Sequence, residues 1–192
     1  MTFPRYDARL QMSVSTISTP ALEPIRVQAK FFFEGDKKWF LKGVTYGPFK
    51  PNADGDYMST PEQAARDFAQ MRELGINLIR VYHVPPRWLL DLAAVHGLRV
   101  LVSIPWTQHV EFLNSRSLCR QIMRVVRETV ANNIGHPAIF AYLVGNEVPT
   151  TMIRWLGVAR VQLFLERLIE IARATDPRPL YSYASFPPTE YI

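Results

Sequence analysis

The chain has 192 residues, 48% of them hydrophobic and 20% charged, with four histidines and Cys119 as its single cysteine. That balance lies far from disordered composition and can fill one sizeable core, the lone cysteine excludes an internal disulfide, and the scattered histidines give no metal-ligand spacing. The net charge of +5 admits an anionic partner, yet the arginines between residues 116 and 127 have no base-stacking aromatics interleaved, which speaks against nucleic acid.

Residues 1–24, ending in MSVSTISTPALEP, show no periodicity and read as a flexible leader, with residues 25–192 as the folded part. The first ten residues mix charge and proline where a signal peptide carries an apolar core, and no later apolar run approaches the ~18 residues of a membrane span, so the expected location is cytoplasmic. Arg26 to Glu34 is β-rich, Gly35 and Asp36 supply a turn, and Lys38 to Lys42 returns, which predicts a hairpin. Gly43 to Tyr46 is a short apolar strand followed by a Pro/Gly/Asp-rich loop. Thr60, Pro61 and Gln63 then supply the cap, first-turn proline and capping-box partner of a helix that Gly75 ends. Strand Asn77 to Tyr82 follows.

Pro85 and Pro86 open a second helix, ended by Gly97, and Arg99 to Ile104 forms a third strand. A helix over Ser117 to Asn132 comes next, with Arg116, Arg120, Arg124 and Arg127 on its solvated side. It leads into Ala138 to Pro149, AIFAYLVGNEVP, where an apolar run without alternation predicts a strand buried on both faces. A long amphipathic helix from about Val158 to Ala174 and a fifth strand, Leu180 to Ala184, complete the series.

Strands separated strictly by helices predict a parallel sheet with right-handed crossovers. Two architectures share that pattern. A doubly wound nucleotide-binding sheet wants a glycine-rich phosphate turn after its first strand, and GPFKPNADG has neither spacing. A (β/α)8 TIM-type barrel wants polar or aromatic residues at the carboxyl ends of its strands, and here those ends carry Tyr46, Arg80 with His83, Trp106, Asn146 with Glu147, and Ser185. The expected fold is therefore an incomplete α/β barrel of about five strands and four main helices, preceded by a short β-hairpin.

Asn77, Arg80, His83 and Pro85 in NLIRVYHVPP, followed by GNE at the end of the fourth strand, resemble the barrel of glycoside hydrolase family 2 and its clan A. The segments KFFFEGDKKWFLKGVTYGPF, PPRWLLDLAAVHGLRV and SYASFPPTEY are most similar to family-2-like barrels of bacterial chains that also carry a glycosyltransferase of the β-glucan-synthesis type. The resemblance implies a retaining glycoside hydrolase or transglycosylase acting on a β-linked, glucan-like carbohydrate, with no metal or cofactor. It implies Glu147 as acid/base, Asn146 as a ligand for the sugar 2-hydroxyl, and Arg80 as the cation that keeps a nucleophilic carboxylate ionised. His83 is implied to bind a hydroxyl, while Trp106 and Tyr46 are candidates for stacking on a sugar face.

Each residue also has a plainer role. Asn146 can cap the following helix, with Glu147 favouring its first turn; Arg80 can form a structural ion pair; His83 can pack in its loop; Tyr46 and Trp106 can plug the barrel mouth. The family's nucleophile lies on a seventh strand, which residues 1–192 do not reach, and Asp54, Asp56, Glu111 and Glu190 are weak substitutes. The isolated chain is thus expected to be inactive, its open sheet edges inviting self-association. The alternative from another class is a non-catalytic carbohydrate-binding or interaction module built on the same partial barrel.

Overall fold

The computed structural model describes residues 22–51, 55 and 57–186. Its first three strands, β1 (Ile25–Gln28), β2 (Phe31–Glu34) and β3 (Lys37–Trp39), pair antiparallel in the order β1-β2-β3. The run from Arg26 to Glu34, expected as one strand of a hairpin, reverses at Ala29 and Lys30. Ala29 there takes a left-handed φ of 53°, and the result is a three-strand meander.

The main sheet contains β4 (Gly43–Thr45), β5 (Leu78–Val81), β6 (Arg99–Ser103), β7 (Ile139–Asn146) and β8 (Leu180–Ala184). All its pairs are parallel and the strand order is the chain order. That is the arrangement of consecutive barrel strands, as the pattern predicted, and among the described residues the meander supplies the antiparallel pairing. Between the strands run α1 (Pro61–Glu73), α2 (Arg87–Val95), α3 (Arg116–Ala131), α4 (Thr150–Leu156) and α5 (Val158–Thr175), with a 3-10 turn at Phe112–Asn114.

Side chains alternate across a strand, so each sheet face has its own core. Ile79, Val81, Val100, Val102, Tyr142 and Val144 pack outward in one cluster with the helix residues Phe68, Leu89, Leu90, Ile122, Val126 and Leu168. Leu78, Leu101, Phe140, Ala141 and Leu180 form a second cluster with Ile25, Phe32 and Trp39 of the meander. The meander is thus the floor of the barrel. Phe140 lies 5.3 Å, centroid to centroid, from both Phe32 and Trp39, and this aromatic trio pins the floor to β7.

Below the sheet, Arg99 is buried at the amino end of β6. It donates to Glu34, to the Glu23 carbonyl and, at 3.2 Å, to the Pro137 carbonyl. Leu22, at the end of the expected leader, packs against the outer core; residues 1–21 lie outside the described residues.

The helix ends follow their local chemistry. Thr60 accepts from the Gln63 backbone N–H at 3.2 Å with Pro61 in the first turn. The Gln63 side chain does not complete a capping box; it donates to Asp67 at 2.6 Å. Ser115 caps α3 through the Leu118 N–H, so the helix begins at Arg116, one residue before the predicted start. Among the described residues no helix is long and apolar enough to cross a membrane.

Candidate active site

β7 is buried along its length and reaches the rim at Asn146, which is half-buried. β5 delivers Arg80 to the same rim two strands away, and its guanidinium donates to Asn146 Oδ1 across the intervening β6. The Asn146 side chain therefore faces the barrel mouth. It does not cap α4, whose cap position is Pro149 with no side-chain bond.

Tyr142 and Val144 face the helices, so strict alternation would send Asn146 there too, but the pairing with β8 shifts register between Leu143 and Asn146, and Glu147 follows with a left-handed φ of 53°. For a residue with a Cβ this conformation costs about 1–2 kcal/mol and needs support from its surroundings. β8 provides it. The Glu147 N–H donates to the Ala184 carbonyl at 2.8 Å, and the Val148 N–H donates to the Tyr183 hydroxyl at 2.7 Å. Burial raises the Tyr183 pKa, the Val148 bond opposes that, and the Glu147 charge raises it further, so phenol and carboxylate share one electrostatic environment.

Among the described residues, Arg80 Nε and Ser103 Oγ are buried in this region without a protein partner. By alternation from Leu101, Ser103 belongs to the inner face between β5 and β7. Unpartnered buried donors at a mouth are capacity for a polar ligand or water. The Arg80 guanidinium also lies 4.7 Å over the Tyr82 ring.

The ring of His83 stacks on Tyr57 at 4.6 Å with an 8° interplanar angle, so Tyr57 covers one face of it. Trp106 is half-buried, donates from Nε1 to the Val144 carbonyl at 2.7 Å, and packs edge-on against Phe112 at 5.0 Å. Gly145 allows this approach, because a Cβ there would stand 2.9 Å from Trp106 Cζ2. Gly145→Ala is expected to push the indole off Val144 and lower stability by about 1–3 kcal/mol, read as an earlier thermal transition and a red-shifted tryptophan emission. Unchanged melting and emission would show that the indole does not need the bare backbone.

Tyr46 departs from the stacking role considered for it. Strand parity sends it to the helix side, where it is 5% exposed, packed on Phe68, and tied through its hydroxyl to Ser59 at 2.7 Å and Asp67 at 2.8 Å. It is a core residue.

Of the acids weighed from the sequence, Glu111 is engaged with Asn114 and Trp155, while Asp54, Asp56 and Glu190 lie outside the described residues. Among those described, Glu147 is the carboxylate that directly follows the carboxyl end of a parallel strand. The sequence reading missed Ser103, Tyr57 and Tyr183. Ser103, at the end of the third parallel strand, and Tyr183, one residue from the end of the fifth, had a positional signal; Tyr57 had none.

A half-barrel with an Asn-Glu pair at the end of its fourth parallel strand and an arginine reaching it from the second defines a clan A glycoside-hydrolase-type barrel. The glucanosyltransferase model, glycoside hydrolase family 72, matches residues 14–162, and the chain belongs to that family. The motif NLIRVYHVPP resembled family 2, so the comparisons support the clan A barrel while assigning family 72.

The chain is 34% identical over 84 residues to the 1,3-beta-glucanosyltransferase gel1 of Aspergillus fumigatus, covering 40% of this chain and 19% of that protein. It is 32% identical over 119 residues to a beta-glucuronidase of Pongo abelii, covering 60% and 17%. Among solved structures, Bacteroides uniformis beta-glucuronidase 3 aligns with a TM-score of 0.68 at 23% identity over 82% of this chain and 20% of that one. A beta-glucuronidase from Ruminococcus gnavus aligns with a TM-score of 0.67 at 16% identity, covering 83% and 27%. The structural likeness shows the fold. The chain spans less than a fifth of the length of these curated relatives.

Proposed function

We propose that this barrel acts on β-linked glucan, cleaving or transferring glycosyl units by a two-carboxylate retaining mechanism with Glu147 as acid/base. The observation that carries the reading is the rim of β7. Asn146 is held by Arg80, and Glu147 is kept in a costly backbone conformation by β8. Names of relatives such as the 1,3-beta-glucanosyltransferases favour the glucan.

Protonation of the leaving oxygen falls to Glu147. Asn146 offers its amide to the sugar 2-hydroxyl, a contact that strengthens as the oxocarbenium-like transition state forms. Arg80 supplies the positive charge that keeps the second carboxylate ionised, and that carboxylate comes from outside residues 1–192. Further chain, a glycosyltransferase domain included, or a second copy docks along the sheet edges at β4 and β8.

The test is titration of the 192-residue chain with β-1,3-linked glucose oligosaccharides, alongside a turnover assay on them and on aryl β-glycosides. Saturable binding weakened by Asn146→Ala, without turnover, is expected, since a retaining site needs two carboxyls ~5–5.5 Å apart. Absence of binding would remove the glucan reading. Turnover abolished by Glu147→Gln would place the second carboxylate within the chain.

A further inference from the structure

Trp155, on α4, is 74% exposed, yet it is not free to turn. Its Nε1–H donates to Glu111 Oε1 at 2.9 Å, a bond across 44 residues that ties α4 to the loop after β6. Glu111 Oε1 also accepts from Asn114 Nδ2. Arg160 donates to Asn114 Oδ1 at 3.0 Å and to the Leu156 carbonyl at 3.3 Å. The indole is thus held by a closed polar network while its faces meet water. A lone exposed apolar side chain needs no explanation. An exposed aromatic fixed in one orientation has already lost the rotamer freedom that ligand binding would otherwise remove.

The position is as informative as the orientation. α4 begins four residues after Asn146, and the 3-10 turn carrying Asn114 follows β6, so both loops belong to the rim that carries Glu147. α4 is only about 10 Å long, which keeps Trp155 close to that rim. We propose that Trp155, positioned by Glu111, is a stacking platform for a sugar unit of a glucan chain lying across the Asn146–Glu147 site.

This rests on the carbohydrate reading above and adds where a longer chain makes its next contact. A β-linked glucose unit has equatorial substituents, so its ring presents flat C–H faces to an aromatic plane and directs its hydroxyls sideways. The side groups match. Glu111 Oε2 has no partner among the described residues and accepts a hydroxyl, and Asn114 and Arg160 stand beside it with N–H donors.

The test compares β-1,3-linked glucose disaccharide and hexasaccharide by calorimetric titration of the 192-residue chain and its variants. Trp155→Ala is expected to weaken the hexasaccharide about tenfold and to leave the disaccharide unchanged. Trp155→Phe should recover most of the loss, and Glu111→Gln should fall between. Because the indole is exposed, the melting temperature should not move. Asn146→Ala, by contrast, is expected to weaken both sugars.

Loss in Asn146→Ala with none in Trp155→Ala overturns the platform and leaves the glucan reading standing. The reverse keeps the platform and removes the Asn146 assignment, while no binding of either sugar by the parent chain removes both. A change of solution mass in Trp155→Ala without a change in sugar affinity overturns the platform in favour of a protein contact through Trp155, Val158 and Leu163.

Discussion

Replacing Glu147 by Gln, in a form of the protein that turns over glucan, is expected to slow cleavage of the natural linkage by about 10²–10⁴-fold. The same substitution should barely affect the glycosylation step with an activated aryl glycoside. A sugar alkoxide cannot leave unprotonated at a useful rate, whereas an aryloxide can, so only the first substrate depends on the missing proton. Equal losses on both substrates would make Glu147 structural.

Glu147→Gly separates the two roles further. Glycine carries no penalty at a φ of 53°, so this variant should lose activity while gaining up to about 1 kcal/mol of stability after the extra unfolded-state entropy is counted. A rim residue whose removal stabilises the fold while abolishing turnover is held there for chemistry.

Arg99→Ala is expected to cost about 3–5 kcal/mol, a large part of the ~5–15 kcal/mol that holds a domain together. Arg99 is 2% exposed while Glu34 is 36% exposed, so the pair is uneven: one member has no route to water and the other does. Arg99→Met, which keeps most of the volume and leaves Glu34 able to hydrate, should cost clearly less than Arg99→Ala. Denaturant unfolding checks both. A loss below ~1 kcal/mol in Arg99→Ala would mean that the aromatic trio holds the floor without the staple.

Strand order and helix order were legible because they depend on local pattern. The continuous apolar run of β7, the Thr60-Pro61 helix start and the glycines after α1 and α2 all act within a few residues of themselves. α4 was not legible. TTMIRWL is too short for a helical period to show between Pro149 and Gly157. The meander was misread for a related reason, since a strand that turns at Ala29 without glycine or proline gives no punctuation.

In the site, the positions of Arg80, Asn146 and Glu147 followed from their strand ends, but their relations did not. The Arg80–Asn146 bond spans 66 residues and depends on both side chains facing inward from non-adjacent strands. Tyr46 shows the limit of reading by strand end alone. One residue of parity separates the inner face from the helix side, and Thr45 occupies the inward place.

Because each parallel strand pairs with the next one in the chain, the sheet can grow in the order in which it is synthesised. No strand has to wait for a distant partner, which keeps sheet contacts relatively local for a parallel fold. The exceptions are the long ties: Glu34 to Arg99 under the floor and Arg80 to Asn146 across the mouth. The first can form once β6 has emerged, the second only after β7 has joined the sheet. The ionic tie of the floor can therefore form one strand before the tie of the mouth, while the Phe32–Trp39–Phe140 trio waits for β7 as the mouth does, and sugar affinity during synthesis would appear late, as a marker that the fourth βα unit is in register.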